Sequence, residues 1–253
     1  MIEPTATPPQ DELAALVAPD LQKTAARMAQ DAFARLFRLC AGDDAPAAQA
    51  GIADMLPLLA TWARAGRGED AQALRLALLV AGLDQWGLAY SQAFGLTAIP
   101  ALSDLMGSLR NGLDARADAR FQRQYAALAA SEAAAIDFKV ELRRGIHLAL
   151  WHAMVAAEQR DDALAIFAHL GGALVAQAQN MPHYGWRIVA DALAHVQIAC
   201  LEHGLASQGL ALETTQGLFD ALGAALPKER WDAIRAHSAR AMHEWQMARR
   251  AAN

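Results

Sequence analysis

One line of residues in this sequence has the types and spacing for chemistry: Arg187, Asp191 and His195, at i, i+4 and i+8 within RIVADALAHVQIACLEHG. On a helix these side chains stack one turn apart on a single face, so Asp191 can bridge Arg187 to His195. Just upstream, the segment PHYGW follows at Pro182 and puts His183, Tyr184 and Trp186 around the first helical turn. First-turn N–H groups favour an anion, and Arg187 adds a planar charged fork. With Asp84 as a further carboxylate, these residues form a candidate ligand site: aromatic walls, an arginine clamp and an Asp-oriented histidine as acid or base. The competing reading is a solvated polar stripe, each neighbouring pair worth roughly 0.2–0.5 kcal/mol. Stripes of this kind occur on most amphipathic helices, and the stripe is the preferred expectation.

Asp84 itself interrupts LALLVAGLDQWGLAY. An ionised carboxylate buried in mid-helix is costly without a partner. As an N-cap after a break at Gly82 it would instead satisfy N–H groups of a new helix. The cap is preferred, with a buried functional acid as the alternative.

Other chemistries lack their signatures. The eight histidines fall at positions 147, 152, 169, 183, 195, 203, 237 and 243. No two stand at the i+3 or i+4 spacing by which one helix presents a pair of metal ligands, and no ExxH occurs. No metal and no cofactor is therefore expected. There is no GxSxG elbow, no GxxxxGK[ST] and no GxGxxG following a strand. Nothing near Cys40 or Cys200 lowers a thiol pKa, and no catalytic residue is assigned. A second polar set, Asp137, Glu141 and Arg144, accompanies Trp151 and Met154 in AIDFKVELRRGIHLALWHAM. His147 and His152 point about 140° apart on that helix and do not form one unit. Trp86 and Tyr90 are read as core, with Gly87 admitting a neighbouring helix.

The elements that must position these residues are helices throughout. Apolar residues recur at three- and four-residue spacing in nearly every segment, and no sustained alternation marks a strand. Helices are predicted at 20–40, 46–65, 69–82, 84–94, 98–111, 114–130, 132–159, 161–179, 183–203, 207–224 and 228–250. Pro46, Pro100, Pro182 and Pro227 fall near helix starts, and Gly42, Gly66, Gly95 and Gly204 near helix ends. Hydrophobic residues make up 55% of the 253, but aromatics only 6%, so alanine-lined helices can approach closely. The expected organisation is a flexible leader at 1–12 and a single all-α domain at 13–253, built of antiparallel helical hairpins in a curved solenoid-like array or bundle.

The leader, MIEPTATPPQDE, lacks the basic and apolar regions of a secretory signal, and the longest apolar runs fall short of a membrane span. The two cysteines suit buried thiols in a reducing compartment, and a bacterial cytoplasmic location is expected. A formal charge of −5 offers no basic face for phosphate, and RNGLDARADARFQR at 110–123 alternates in sign as a solvated face does. Neither nucleic acid nor membrane is an expected partner.

Two hairpins resemble tetratricopeptide-type repeats. In MLPLLATWARAGRGEDAQALRLAL the residues are Leu58, Gly66 and Ala71; in HLALWHAMVAAEQRDDALAIFAHL they are Leu150, Ala163 and Phe167. Arg75 stands where the repeat carries an aromatic and Trp151 where it carries a small residue, and no regular period links the hairpins. The resemblance implies stacked helical hairpins and, by analogy, a surface that binds a protein partner. The expected function is accordingly an interaction or regulatory protein presenting a groove to a protein partner. The alternatives are a sensory domain for a small anionic ligand, or an all-α enzyme using Asp191 and His195 as an acid–base pair.

Overall fold

The computed structural model describes residues 18–40, 45–94, 100–134, 138–155, 160–180, 185–202 and 209–252. Among them the chain is all-α, with no strand. Ten helices are described: α1 Pro19–Cys40, α2 Ala45–Arg64, α3 Glu69–Phe94, α4 Pro100–Arg110, α5 Ala115–Ala134, α6 Phe138–Val155, α7 Arg160–Asn180, α8 Gly185–Glu202, α9 Gly209–Ala225 and α10 Lys228–Ala252. No described helix is long and apolar enough to cross a membrane. The leader at 1–12, with Gly42, Gly95, Asp137, Pro182 and Gly204, lies outside the described residues. Packing gathers the chain into two compact units, residues 1–136 and 137–253, a division that no linker composition announces.

In the first unit α3 lies at the centre and packs against α1, α2, α4 and α5. It can do so because its apolar residues surround it instead of forming one stripe: Leu76, Ala77, Leu79, Val80, Leu83 and Trp86 are all buried. α1 and α3 run in the same direction in a fixed register. Phe33 stacks on Trp86 with centroids 5.8 Å apart, and one turn on Phe37 meets the edge of Tyr90 at 5.7 Å. One turn earlier, a Cβ added at Gly82 would lie 2.8 Å from the Cβ of Ala29.

This corrects the expected break at Gly82. The helix continues unbroken from Glu69 to Phe94, and Asp84 is not an N-cap. It is exposed in mid-helix, where its Oδ2 accepts a hydrogen bond from the Tyr125 hydroxyl at 2.9 Å. A helical glycine costs about 1 kcal/mol relative to alanine, less than the burial of Leu79, Leu83 and Trp86 returns. Glycine at 82 therefore reports close helix approach, not termination. Gly87 does the same toward α4, where an added Cβ would stand 2.8 Å from Leu102.

The turns follow local chemistry. Between α2 and α3, a Cβ at Gly66 would collide with the backbone of Ala71, and Gly68 takes a φ of +95°. Arg75 closes this hairpin, its guanidinium 5.0 Å from the Trp62 ring centroid and donating to the Trp62 carbonyl at 3.1 Å. At the start of α5, the Asp114 carboxylate accepts from the Arg116 and Ala117 N–H groups at 2.9 and 2.8 Å, an N-cap that lowers its pKa.

The second unit holds α6 to α10. α6 packs on α7, α8 and α9; α7 on α8 and α9; and α10 chiefly on α8. Its core contains Ile146, Leu148, Leu150, Trp151, Leu174 and Leu193, all at most 1% exposed. Gly185 opens α8 directly against the Gln177 carbonyl, with no room for a Cβ. Arg230 donates to the Ala178 carbonyl at 2.7 Å, satisfying an acceptor in the last turn of α7.

Candidate functional site

On α8 the apolar positions Val189, Ala192, Leu193, Val196 and Ala199 are buried, which leaves Arg187, Asp191 and His195 as its polar line. These three side chains do not bind one another. Each reaches a different neighbour in the second unit.

Arg187 is exposed, with its guanidinium 5.4 Å from the centroid of the Trp186 ring. Trp186 in turn meets His237 of α10 edge-on, 5.7 Å between centroids. Asp191 faces two partners on neighbouring helices. Its Oδ2 lies 3.5 Å from Lys139 Nζ on α6, and its Oδ1 lies 3.2 Å from His237 Nε2 on α10. The expected bridge from Arg187 through Asp191 to His195 is thus replaced by contacts across helices. Helical spacing brings the Cβ atoms of i and i+4 together, but Lys139 and His237 reach the carboxylate from adjacent elements, while Arg187 lies over Trp186 and His195 turns to His147.

His195 is part-buried against the buried His147 of α6, Nε2 to Nε2 at 2.9 Å, with the rings nearly perpendicular and 4.9 Å apart. At that separation one Nε2 carries the proton and donates to the lone pair of the other, so the two rings hold opposite tautomers. His147 also leans on Trp151, 5.8 Å between centroids. Loss of solvent, and secondarily the Arg143 charge, lowers the His195 pKa to about 4. At neutral pH His195 is uncharged, and its ring partner is a histidine and not Asp191. The arrangement can share one proton between two imidazoles; it does not assemble the carboxylate-oriented acid–base pair that the spacing suggested.

Of the other expected site residues, Asp84 belongs to the first unit, and His183 and Tyr184 lie outside the described residues. His152 is 2% exposed on another face of α6. Among the described residues, no three or more His, Cys, Asp and Glu side chains converge as metal ligands. Cys200 is a free thiol 3.6 Å from the Thr215 hydroxyl, its pKa raised by burial.

The His147–His195 pair escapes a search for histidines spaced along one helix. A signal for it does exist in the sequence. Lys139, Arg143 and His147 form a second polar i, i+4, i+8 line, and α6 runs alongside α8 in the same direction, Lys139 beside Asp191 and His147 beside His195.

A second feature of this unit is an open groove along α10. Its middle, about 440 Å³, is lined by Gln197 of α8, Phe219 of α9 and Asp232, Arg235, Ser238 and Ala239 of α10. Toward the start of α10 it continues past Trp231, Gly223 and Asp220 in a space of about 570 Å³. Near the end of α10 a separate open space of about 340 Å³, with no lining residue in common with the other two, lies between Leu201 of α8 and Trp245, Gln246, Arg249 and Arg250. Phe219 and Trp231 meet edge-on at 6.2 Å. No expected site residue lies on this groove. Compared with known proteins, the chain matches no family model, no curated protein and no solved structure, which leaves the geometry of this unit to carry the functional reading.

Proposed function

We propose that this protein is an interaction or regulatory helical-hairpin protein that presents the groove along α10 to a protein partner, in the cytoplasm of a bacterial cell. The observation that carries the reading is the row of open spaces along α10, two adjoining and one separate, bordered by half-buried aromatic side chains beside exposed arginines. A small-molecule site encloses most of its ligand, whereas a protein partner is met by an extended surface with aromatic and arginine anchors. The direction of the helices adds support. α6, α8 and α10 run in parallel, as alternate helices of stacked hairpins do.

The enzyme reading loses support because Asp191 binds Lys139 and His237 while His195 binds His147. A photo-crosslinking residue at the exposed Ala239, in the full chain and in its native cells, tests the proposal. A discrete adduct with another protein is expected, absent when the same residue stands at the exposed Gln122 of the first unit. Adducts of equal yield from both positions, or none from Ala239, would reject it.

A further inference from the structure

The helix that borders the groove differs in charge from the chain as a whole, and its arginines Arg235, Arg249 and Arg250 line the open spaces together with Asp220 and Asp232. α10 carries six basic and three acidic side chains, a net +3 in a chain whose formal charge is −5. Asp232, Arg235, Ala239, Met242, Gln246 and Arg249 follow at alternating spacings of three and four and so share one mostly polar face of α10. Most of that face is exposed, and Met242 is part-buried. From Trp231 to Arg250 the face is about 28 Å long at 1.5 Å per residue. No ion pair joins Arg235, Arg249 or Arg250 to a described carboxylate. Beside these cations lie apolar surfaces: Leu201 is 43% and Met247 50% exposed, and Trp245 has the Arg249 guanidinium 5.3 Å from its ring centroid.

We propose that this face of α10 docks an acidic amphipathic helix of a partner protein. The proposal rests on the reading that the groove receives a protein and specifies its chemistry. The occupant's apolar residues, recurring at i, i+3 or i+4, and i+7, would cover Phe219 and Trp231 near one end and Leu201 and Trp245 near the other. Its carboxylates would answer Arg235 in the middle and Arg249 and Arg250 at the far end, where a guanidinium accepts a carboxylate in a two-bond fork. Asp220 and Asp232 repel acids near Trp231, so this end takes the apolar part of the occupant. Asp220 already accepts the Gln216 amide at 2.9 Å.

The test uses the full chain and a labelled peptide of about 20 residues, long enough to hold a helix in water, with leucines on one face and flanking glutamates. Fluorescence anisotropy is expected to show saturable binding that weakens with salt. The Arg235→Glu, Arg249→Glu, Arg250→Glu triple variant should bind about tenfold more weakly, a difference of about 1.4 kcal/mol. A peptide with lysines in place of the glutamates should show the opposite preference, binding the variant better than the original chain. Circular dichroism identical to the unmodified chain establishes that the variant is folded. Equal binding of the glutamate peptide to both chains, or no saturable binding to the original, overturns the proposal. If the peptide fails while crosslinking from Ala239 still captures a protein, the acidic chemistry is wrong and the groove reading stands; if both fail, both fall. Sedimentation of the chain alone adds a further arm: a dimer abolished by the triple variant would give the face to a second copy and overturn the partner assignment.

Discussion

His147 and His195 are the residues whose environment differs most from what their types suggest. A histidine with a pKa lowered from 6.5 to about 4 is neutral when folded and binds a proton more readily when unfolded. Its contribution to stability is therefore fully present above pH 6.5 and is lost as the pH falls from 6.5 toward about 4. The loss is on the order of 2–3 kcal/mol, which urea unfolding across that range measures. Proton-detected titration should place the His195 midpoint at about 4, and Arg143→Gln should raise it. A His195 midpoint near 6.5 would contradict the buried pairing. His195→Ala leaves His147 without its ring partner in a dry setting and should cost about 1–3 kcal/mol. Arg187→Ala removes an exposed side chain whose guanidinium lies over the Trp186 face, and should cost less than about 1 kcal/mol. The polar line of α8 thus divides: solvated at Arg187, half-exposed at Asp191, enclosed at His195.

Single helices were legible in the sequence because apolar periodicity, prolines at starts and polar stretches between segments are local signals. The expected limits 20–40, 46–65 and 161–179 fall within one residue of α1, α2 and α7 at each end. What packing decides was not legible. Gly82 followed by Asp84 has the local form of a stop and a cap, and only the closeness of Ala29 on α1 reveals why glycine stands there. Similarly, Asp191 and His195 are ideal neighbours along α8, yet Lys139, His147 and His237 claim them from α6 and α10. Spacing along a helix identifies a shared face; it does not identify what covers that face. The close α1–α3 contact gives a test at this scale. Gly82→Val adds bulk where a Cβ alone would approach Ala29 to 2.8 Å, and should destabilise the chain by about 1–3 kcal/mol despite removing a helical glycine. A stabilised Gly82→Val would return this position to an ordinary exposed helix site.

For the whole molecule, the two compact units each have a buried core of their own, around Phe33, Leu79 and Leu83 in the first and Trp151, Leu174 and Leu193 in the second. Produced separately, residues 1–136 and 137–253 should each give a helical circular dichroism spectrum and unfold cooperatively; a disordered spectrum from either would deny that unit its independence. The features proposed for recognition lie in the second unit, where two surfaces compete for the role: the histidine and carboxylate seam across α6 and α8, and the groove along α10. Hydrogen–deuterium exchange of the full chain, alone and with the protein captured from Ala239, separates them most directly. Partner binding is predicted to slow exchange in residues 231–250 and around Gln197 to Leu201, leaving 139–147 and 187–195 unchanged. Protection centred on Lys139, His147 and Asp191, with α10 unaffected, would contradict the account.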